Sequence, residues 1–164
     1  MKGDPQVIQH LNDALKNELT AVNQYWLHYR MLDNWGVHRL AEYERHESID
    51  EMKHADRLSE RILFLDGLPN FQMLGRLRIG ENVEEVLRAD LEVEREAHVQ
   101  LKEAIAYCET VRDYASRELF VEILENEEEH IDFLERQFVM IEQMGLPNYI
   151  QLQSKPAEEK KKAY

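Results

Sequence analysis

Two Glu-x-x-His sequences occur in the chain, Glu51-Met52-Lys53-His54 and Glu127-Glu128-Glu129-His130, and there is no third. A three-residue step places both side chains of each motif on one face of a helix. Each motif follows another glutamate by 33 positions, Glu18 for the first and Glu94 for the second, so the two sets repeat at an offset of 76. Glu18, Glu51, His54, Glu94, Glu127 and His130 all fall on stripes that otherwise read as apolar core. An unpartnered buried carboxylate costs on the order of several kcal/mol, so four of them together require positive charge in their midst. Two divalent cations supply it and leave the site formally neutral. Oxygen-rich donors with one imidazole per ion suit iron or manganese, whereas structural zinc favours sets of Cys and His. By the symmetry of the repeat, Glu51 and Glu127 are expected to bridge both ions, with Glu18 and His54 capping one and Glu94 and His130 the other.

The elements that must hold these residues are long helices. Asp4-Pro5 is a start signal, an N-cap acceptor followed by a proline whose missing N–H costs nothing in the first turn. From it a stripe runs through Ile8, Leu11, Leu15, Glu18, Val22, Tyr25 and Tyr29 to a stop at Gly36. The second helix is expected over about Val37 to Leu65, with Leu40, Glu44, Glu47, Glu51, His54, Leu58 and Ile62 on its core face, before the breaker Gly67-Leu68-Pro69-Asn70. The third spans about Val83 to Glu109 and the fourth about Asp113 to Met144, which Gly145-Leu146-Pro147 stops. Short joints make helices one and two, and three and four, antiparallel hairpins. A helix of roughly 29 residues is about 43 Å long, and the roughly 16 residues between the hairpins reach about 53 Å when extended. They can cross the full bundle and leave helices two and three parallel. The expectation is an all-α fold, a ferritin-like four-helix bundle with one long crossover, and a short C-terminal fifth helix over Asn148 to Ser154. Residues 1–154 form one domain in this reading, and 155–164 a charged, mobile tail without an apolar face.

The charge balance agrees with a cation-binding role. Asp plus Glu number 33 and Lys plus Arg 20, a formal net charge of -13, the wrong sign for gripping nucleic-acid phosphates. Cys108 stands alone, which excludes an intrachain disulfide and a thiolate cluster, and reads as an inert, buried thiol. Neither a basic-then-apolar leader nor an apolar run of spanning length is visible, so a soluble, cytoplasmic protein without a membrane partner is expected.

The chain closely resembles the bacterioferritin family. The likeness runs from Met1-Lys2-Gly3-Asp4 through His46-Glu47-Ser48-Ile49-Asp50-Glu51-Met52-Lys53-His54-Ala55-Asp56 and Glu60-Arg61-Ile62-Leu63-Phe64-Leu65 to Met144-Gly145-Leu146. It implies an iron-storage ferroxidase that oxidises Fe(II) with dioxygen or hydrogen peroxide at a di-iron centre and keeps ferric mineral inside a hollow homo-oligomer of twenty-four subunits. It implies haem b at a two-fold dimer interface, held by one methionine from each subunit, and Met52 matches that position. Taken alone, Met52 points off the bundle interior and reads with Ile49, and with Leu19, Val22, Asn23 and Trp26 of the first helix, as a subunit interface. A 2Fe-2S ferredoxin is the implied reductant for iron release, and His46 with Asp50 matches an accessory iron site. The likeness does not extend to Phe133 and Leu58, where some members carry redox-active aromatics. Tyr25 reads as a core tyrosine able to bond a metal ligand, and His10, His28, His38 and His98 as surface or interface residues.

Two other readings compete. One is a di-iron or dimanganese peroxidase or catalase that stores nothing. The other is a haem-binding shell whose metal site is only structural. A rubrerythrin needs cysteine pairs that this chain lacks, and the DNA-protecting mini-ferritins divide between subunits the ligands that are all present here.

Overall fold

A computed structural model describes residues 1–155 of the chain. Five helices follow one another: α1 Pro5–Asn34, α2 His38–Phe64, α3 Val83–Val111, α4 Tyr114–Met144 and α5 Leu146–Gln153. Local chemistry sets their starts. The Asp4 carboxylate accepts from the N–H groups of Gln6 and Val7 at 2.8 and 3.1 Å, and Asn82 and Asp113 cap α3 and α4 through the N–H groups of Glu85 and Ser116. Arg112, left-handed at φ 60°, ends α3 two residues beyond the expected Glu109. Gly145, at φ +81°, ends α4 and leads directly into α5. That helix starts at Leu146 rather than Asn148, because Pro147 sits in a first turn, where its missing N–H is tolerated, and does not act as a stop.

Helices α1 and α2 pack along their length, as do α3 and α4, and α1 also packs on α3. The crossover after α2 then runs beside α1. Asn12 exchanges hydrogen bonds with Leu68 O and Asn70 N–H, and Thr20 Oγ accepts from Gly75 N–H at 2.8 Å. Gln24 Oε1 accepts from Arg78 N–H and His28 Nε2 from Gly80 N–H, both at 3.0 Å. Rising numbers on both segments mean that the crossover travels in the direction of α1, so α3 enters antiparallel to α1 and parallel to α2. At Gly80 a Cβ would lie 2.3 Å from Val86 N, so no side chain fits where the crossover turns into α3.

Apolar clusters fill the bundle on either side of its middle. One holds Leu11, Leu15, Leu58, Leu101, Phe120 and Ile123; the other holds Leu32, Leu40, Leu87, Leu91, Leu134 and, from α5, Tyr149. Cys108 lies in the first, its thiol pushed up to about 11 by burial, which suits an inert role. Among the described residues no helix is long and apolar enough to cross a membrane. The expected tail lies outside the described residues from 156 onward.

Candidate metal centre

Between the two apolar clusters the four long helices place their polar stripes face to face. Glu18 comes from α1, Glu51 and His54 from α2, Glu94 from α3, and Glu127 and His130 from α4; Glu51 and Glu94 are fully buried and none of the six is more than 7% exposed. Their donor atoms form two sets, Glu18–Glu51–His54–Glu127 and Glu51–Glu94–Glu127–His130, each spanning no more than 4.8 Å. Glu51 and Glu127 belong to both. His54 Nδ1 lies 3.1 Å from Glu51, 3.5 Å from Glu127 and 3.6 Å from Glu18. On the other side, His130 Nδ1 lies 3.1 Å from Glu51, 3.3 Å from Glu94 and 3.9 Å from Glu127. Glu94 Oε2 and Glu127 Oε1 are buried without a hydrogen-bond partner. Convergent carboxylates with orphaned oxygens fit a pair of hard divalent cations.

The electrostatics lead to the same conclusion. Burial, reinforced by the Glu51 carboxylate, pushes Glu18 well above the usual carboxyl range, and burial with Glu51 and Glu94 does the same to Glu127. Burial opposes the charge on Glu51 too, but hydrogen bonds with Glu18, His130 and His54 outweigh it and hold this group ionised. For His54 burial disfavours the cation, yet Glu18 and Glu51 prevail and raise it to about 10. His130 is raised further by Glu47, Glu51 and Glu94. These directions favour protons on Glu18, Glu127 and the two imidazoles of the metal-free cluster, and a cation entering there would have to displace them.

Two neighbours support one side of the cluster. Tyr25, buried as expected of a core residue, donates through its hydroxyl to Glu94, and Glu47 pairs with the far nitrogen of His130, the kind of partner that fixes a ligand's ring. The role of Glu47 escaped sequence reasoning, although its place on the α2 core stripe was the available signal. His28 corrects an expectation: it is not a surface or interface residue but fully buried, 2.9 Å from Asp90 and bonded to the crossover, because its partners lie 62 and 52 residues away and leave no local spacing to read. Met52 is 46% exposed and points off the interior; Trp26 is exposed too, but Leu19, expected on the same outer patch, is buried. His46 pairs with Glu42 and Asp50 with Lys53, each at the surface.

A four-helix bundle with a full-length crossover and a mid-bundle set of four glutamates and two histidines defines the ferritin-like class of carboxylate-bridged metalloproteins. Residues 8–144 match the ferritin-like domain family, to which the chain belongs. It is 55% identical to the bacterioferritin of Brucella melitensis biotype 1 over 97% of this chain and 99% of that protein. Identity is 49% to the bacterioferritin of Mycolicibacterium paratuberculosis, over 91% and 94% of the two chains, and 45% to that of Rhodobacter capsulatus, over 96% and 98%. Within the ferritin-like proteins, the chain is a member of the bacterioferritin family.

Proposed function

We propose that the protein is an iron-storage ferroxidase whose six buried residues hold two Fe(II) ions as substrate. The observation that carries this is the pair of overlapping donor sets that share Glu51 and Glu127. In this reading Glu18 and His54 complete one binding position, Glu94 and His130 the other, and the shared carboxylates keep the two ions close enough to be oxidised together. Each Fe(II) gives up one electron, and dioxygen takes two electrons and two protons to become hydrogen peroxide, or peroxide takes them to become water. The chain's own contribution is geometry and charge. Four carboxylates neutralise two divalent ions, burial excludes bulk water, and the protons displaced from Glu18 and Glu127 leave as the ions enter. Surplus acidic charge elsewhere draws Fe(II) inward.

The assembly belongs to the same reading. Trp26, Met52, Leu63, Phe64, Phe71 and Met73 are exposed apolar residues of a kind that soluble proteins cover by association. We place them in two-fold dimers of a hollow shell of twenty-four copies. Met52, exposed on the outer face of α2, would help to hold haem b shared between two copies, and the haem, when bound, would supply an electron path for iron release, with a 2Fe-2S ferredoxin as reductant. His46 and Asp50 are assigned to an accessory cation site, and the cytoplasm to the protein's location.

Anaerobic Fe(II) titration followed by oxygen tests the central claim. Saturation near two ions per chain, then ferric absorbance and mineral-filled particles, is the expected result. An unchanged oxidation rate in Glu18→Ala and Glu127→Ala defeats the assignment. For the haem, a purified Met52→Leu protein with the wild-type haem spectrum removes Met52 as ligand.

A further inference from the structure

On the side of the metal cluster where the crossover enters α3, Gln24, His28, Glu44 and Asp90 are all buried, with His28, Glu44 and Asp90 at 0% exposure. His28 Nε2 accepts the Gly80 N–H, so the hydrogen of the neutral imidazole sits on Nδ1 and points at Asp90 Oδ1, 2.9 Å away. Gln24 repeats the pattern: its Oε1 accepts the Arg78 N–H and its Nε2 donates to the same Asp90 oxygen at 2.9 Å. Two side chains of α1 therefore relay two backbone N–H groups of the crossover onto one carboxylate oxygen of α3. Asp90 Oδ2 and both oxygens of Glu44 remain without a partner.

His28, Glu44 and Asp90 bring donor-type atoms within 4.8 Å of one another. A metal does not fit this trio as built, because both imidazole nitrogens are committed. Two buried anions at such range do not coexist either, and a single hydrogen between them turns repulsion into a charge-assisted bond. We propose that Glu44 is a neutral carboxylic acid donating to Asp90 Oδ2, and that this shared proton latches the crossover to the bundle. The groups facing Glu44 agree. They are Tyr25 and His28 on α1, Tyr43 and Glu47 on α2, Asp90 and Glu94 on α3, and Tyr149 on α5. Among the described residues no lysine or arginine pairs with Glu44 or Asp90. Burial, then Asp90, Glu47 and Glu94, push the Glu44 carboxyl well above its usual range. The folded state therefore keeps the proton at neutral pH, and the latch loosens as pH rises through that raised value. The inference does not rest on the iron reading.

Infrared spectra of the metal-free full chain test it. Glu44→Gln is expected to remove one buried carboxylic-acid carbonyl stretch relative to wild type, with the contributions of Glu18 and Glu127 cancelling in the difference. Amide exchange at Arg78 and Gly80, corrected for its intrinsic pH dependence, gives the second readout. Wild-type protection should fall by up to about tenfold per pH unit above the Glu44 value, the slope for one proton. In Glu44→Gln it should stay flat, because the amide donates at every pH. The proposal is overturned if the substitution removes a carboxylate stretch instead, if both proteins show the same pH dependence, or if Glu44→Gln fails to fold, since a neutral donor of that shape should preserve the latch.

Discussion

The offset of 76 that relates Glu18 to Glu94 and Glu51 to Glu127 also relates the residues flanking them, and there the two halves part company. Tyr25, His28, Glu44, Glu47 and Asp90 stand on one flank of the cluster; their counterparts at the same offset are Leu101, Ala104, Phe120, Ile123 and Ala14. All five counterparts are buried in one apolar cluster. The crossover supplies a physical reason. It enters α3 on the polar flank and brings N–H groups that must find acceptors, so Gln24 and His28 meet them there and need Asp90 behind them. On the other flank the described crossover residues bond Asn12 at the outer edge of α1, and the interior positions pack as hydrocarbon. One consequence reaches the cluster itself: Glu94 and His130 gain Tyr25 and Glu47 as partners, while the positions that match these two at the offset of 76 are Leu101 and Ile123, which can offer no hydrogen bond.

The most drastic way to probe this asymmetry is to remove the residues that belong to both donor sets. Glu51→Ala or Glu127→Ala should abolish binding of both ions and slow Fe(II) oxidation by more than about 100-fold, beyond the usual cost of losing an outer partner. Glu18→Ala should leave one ion bound, at the Glu94–His130 position. Equilibrium Co(II) titration separates the cases, and identical losses from all three would end the distinction between shared and capping carboxylates. Next in size are the outer partners. Glu47→Gln and Tyr25→Phe should each weaken one binding step by about 10- to 100-fold and leave the other in place. Equal weakening of both steps would show that the two positions are not supported separately.

Protons offer a milder test. His54 is raised from 6.5 to about 10 because, against the cost of burial, Glu18 and Glu51 hold its cation. A raised value in the folded state stabilises fully below the unfolded value, and the gain is lost as pH climbs through the folded one. Thermal unfolding of the metal-free protein should therefore show declining stability between pH 6.5 and about 10. With Zn(II) bound, His54 is required neutral and the same rise in pH should strengthen binding. Matching pH profiles for the two forms would rule out His54 as a donor that exchanges its proton for a cation.

How legible each part was in the sequence follows from the range of the interactions involved. The six cluster residues stood out because Glu-x-x-His is a local pattern and its repetition at a fixed offset is a second, independent one. The helix start at Pro5 was readable from the Asp4 cap before it, and those near Val83 and Asp113 from where the apolar stripes begin, to within one residue. The flanks were not readable in this way. Asp90 meets Gln24 and His28 only across 66 and 62 residues, so His28 looked like a stray polar residue. A faint local signal did exist: Asn12, Thr20, Gln24 and His28 recur on α1 at multiples of four, a polar row beside the apolar stripe, and each bonds the crossover. Glu44 and Glu47 were visible on the α2 core face but had no Glu-x-x-His mate to give them meaning.

The smallest effect is expected on the apolar flank, and it is the most discriminating. Ile123 occupies the position that corresponds to Glu47 and is fully buried among Leu101, Phe120 and their neighbours. If that flank serves only as packing, Ile123→Val deletes one methylene from a well-filled core and should lower stability by about 0.5–1.5 kcal/mol. Chemical denaturation would register that change, with both Co(II) binding steps as in wild type. Glu47→Gln should do the reverse, with one binding step moved and only a modest change in the stability of the metal-free chain. A shift in metal affinity from Ile123→Val would mean that the apolar wall sets the position of His54 as firmly as Glu47 sets that of His130. The asymmetry would then lie in the chemistry of the two supports and not in how tightly each ligand is held.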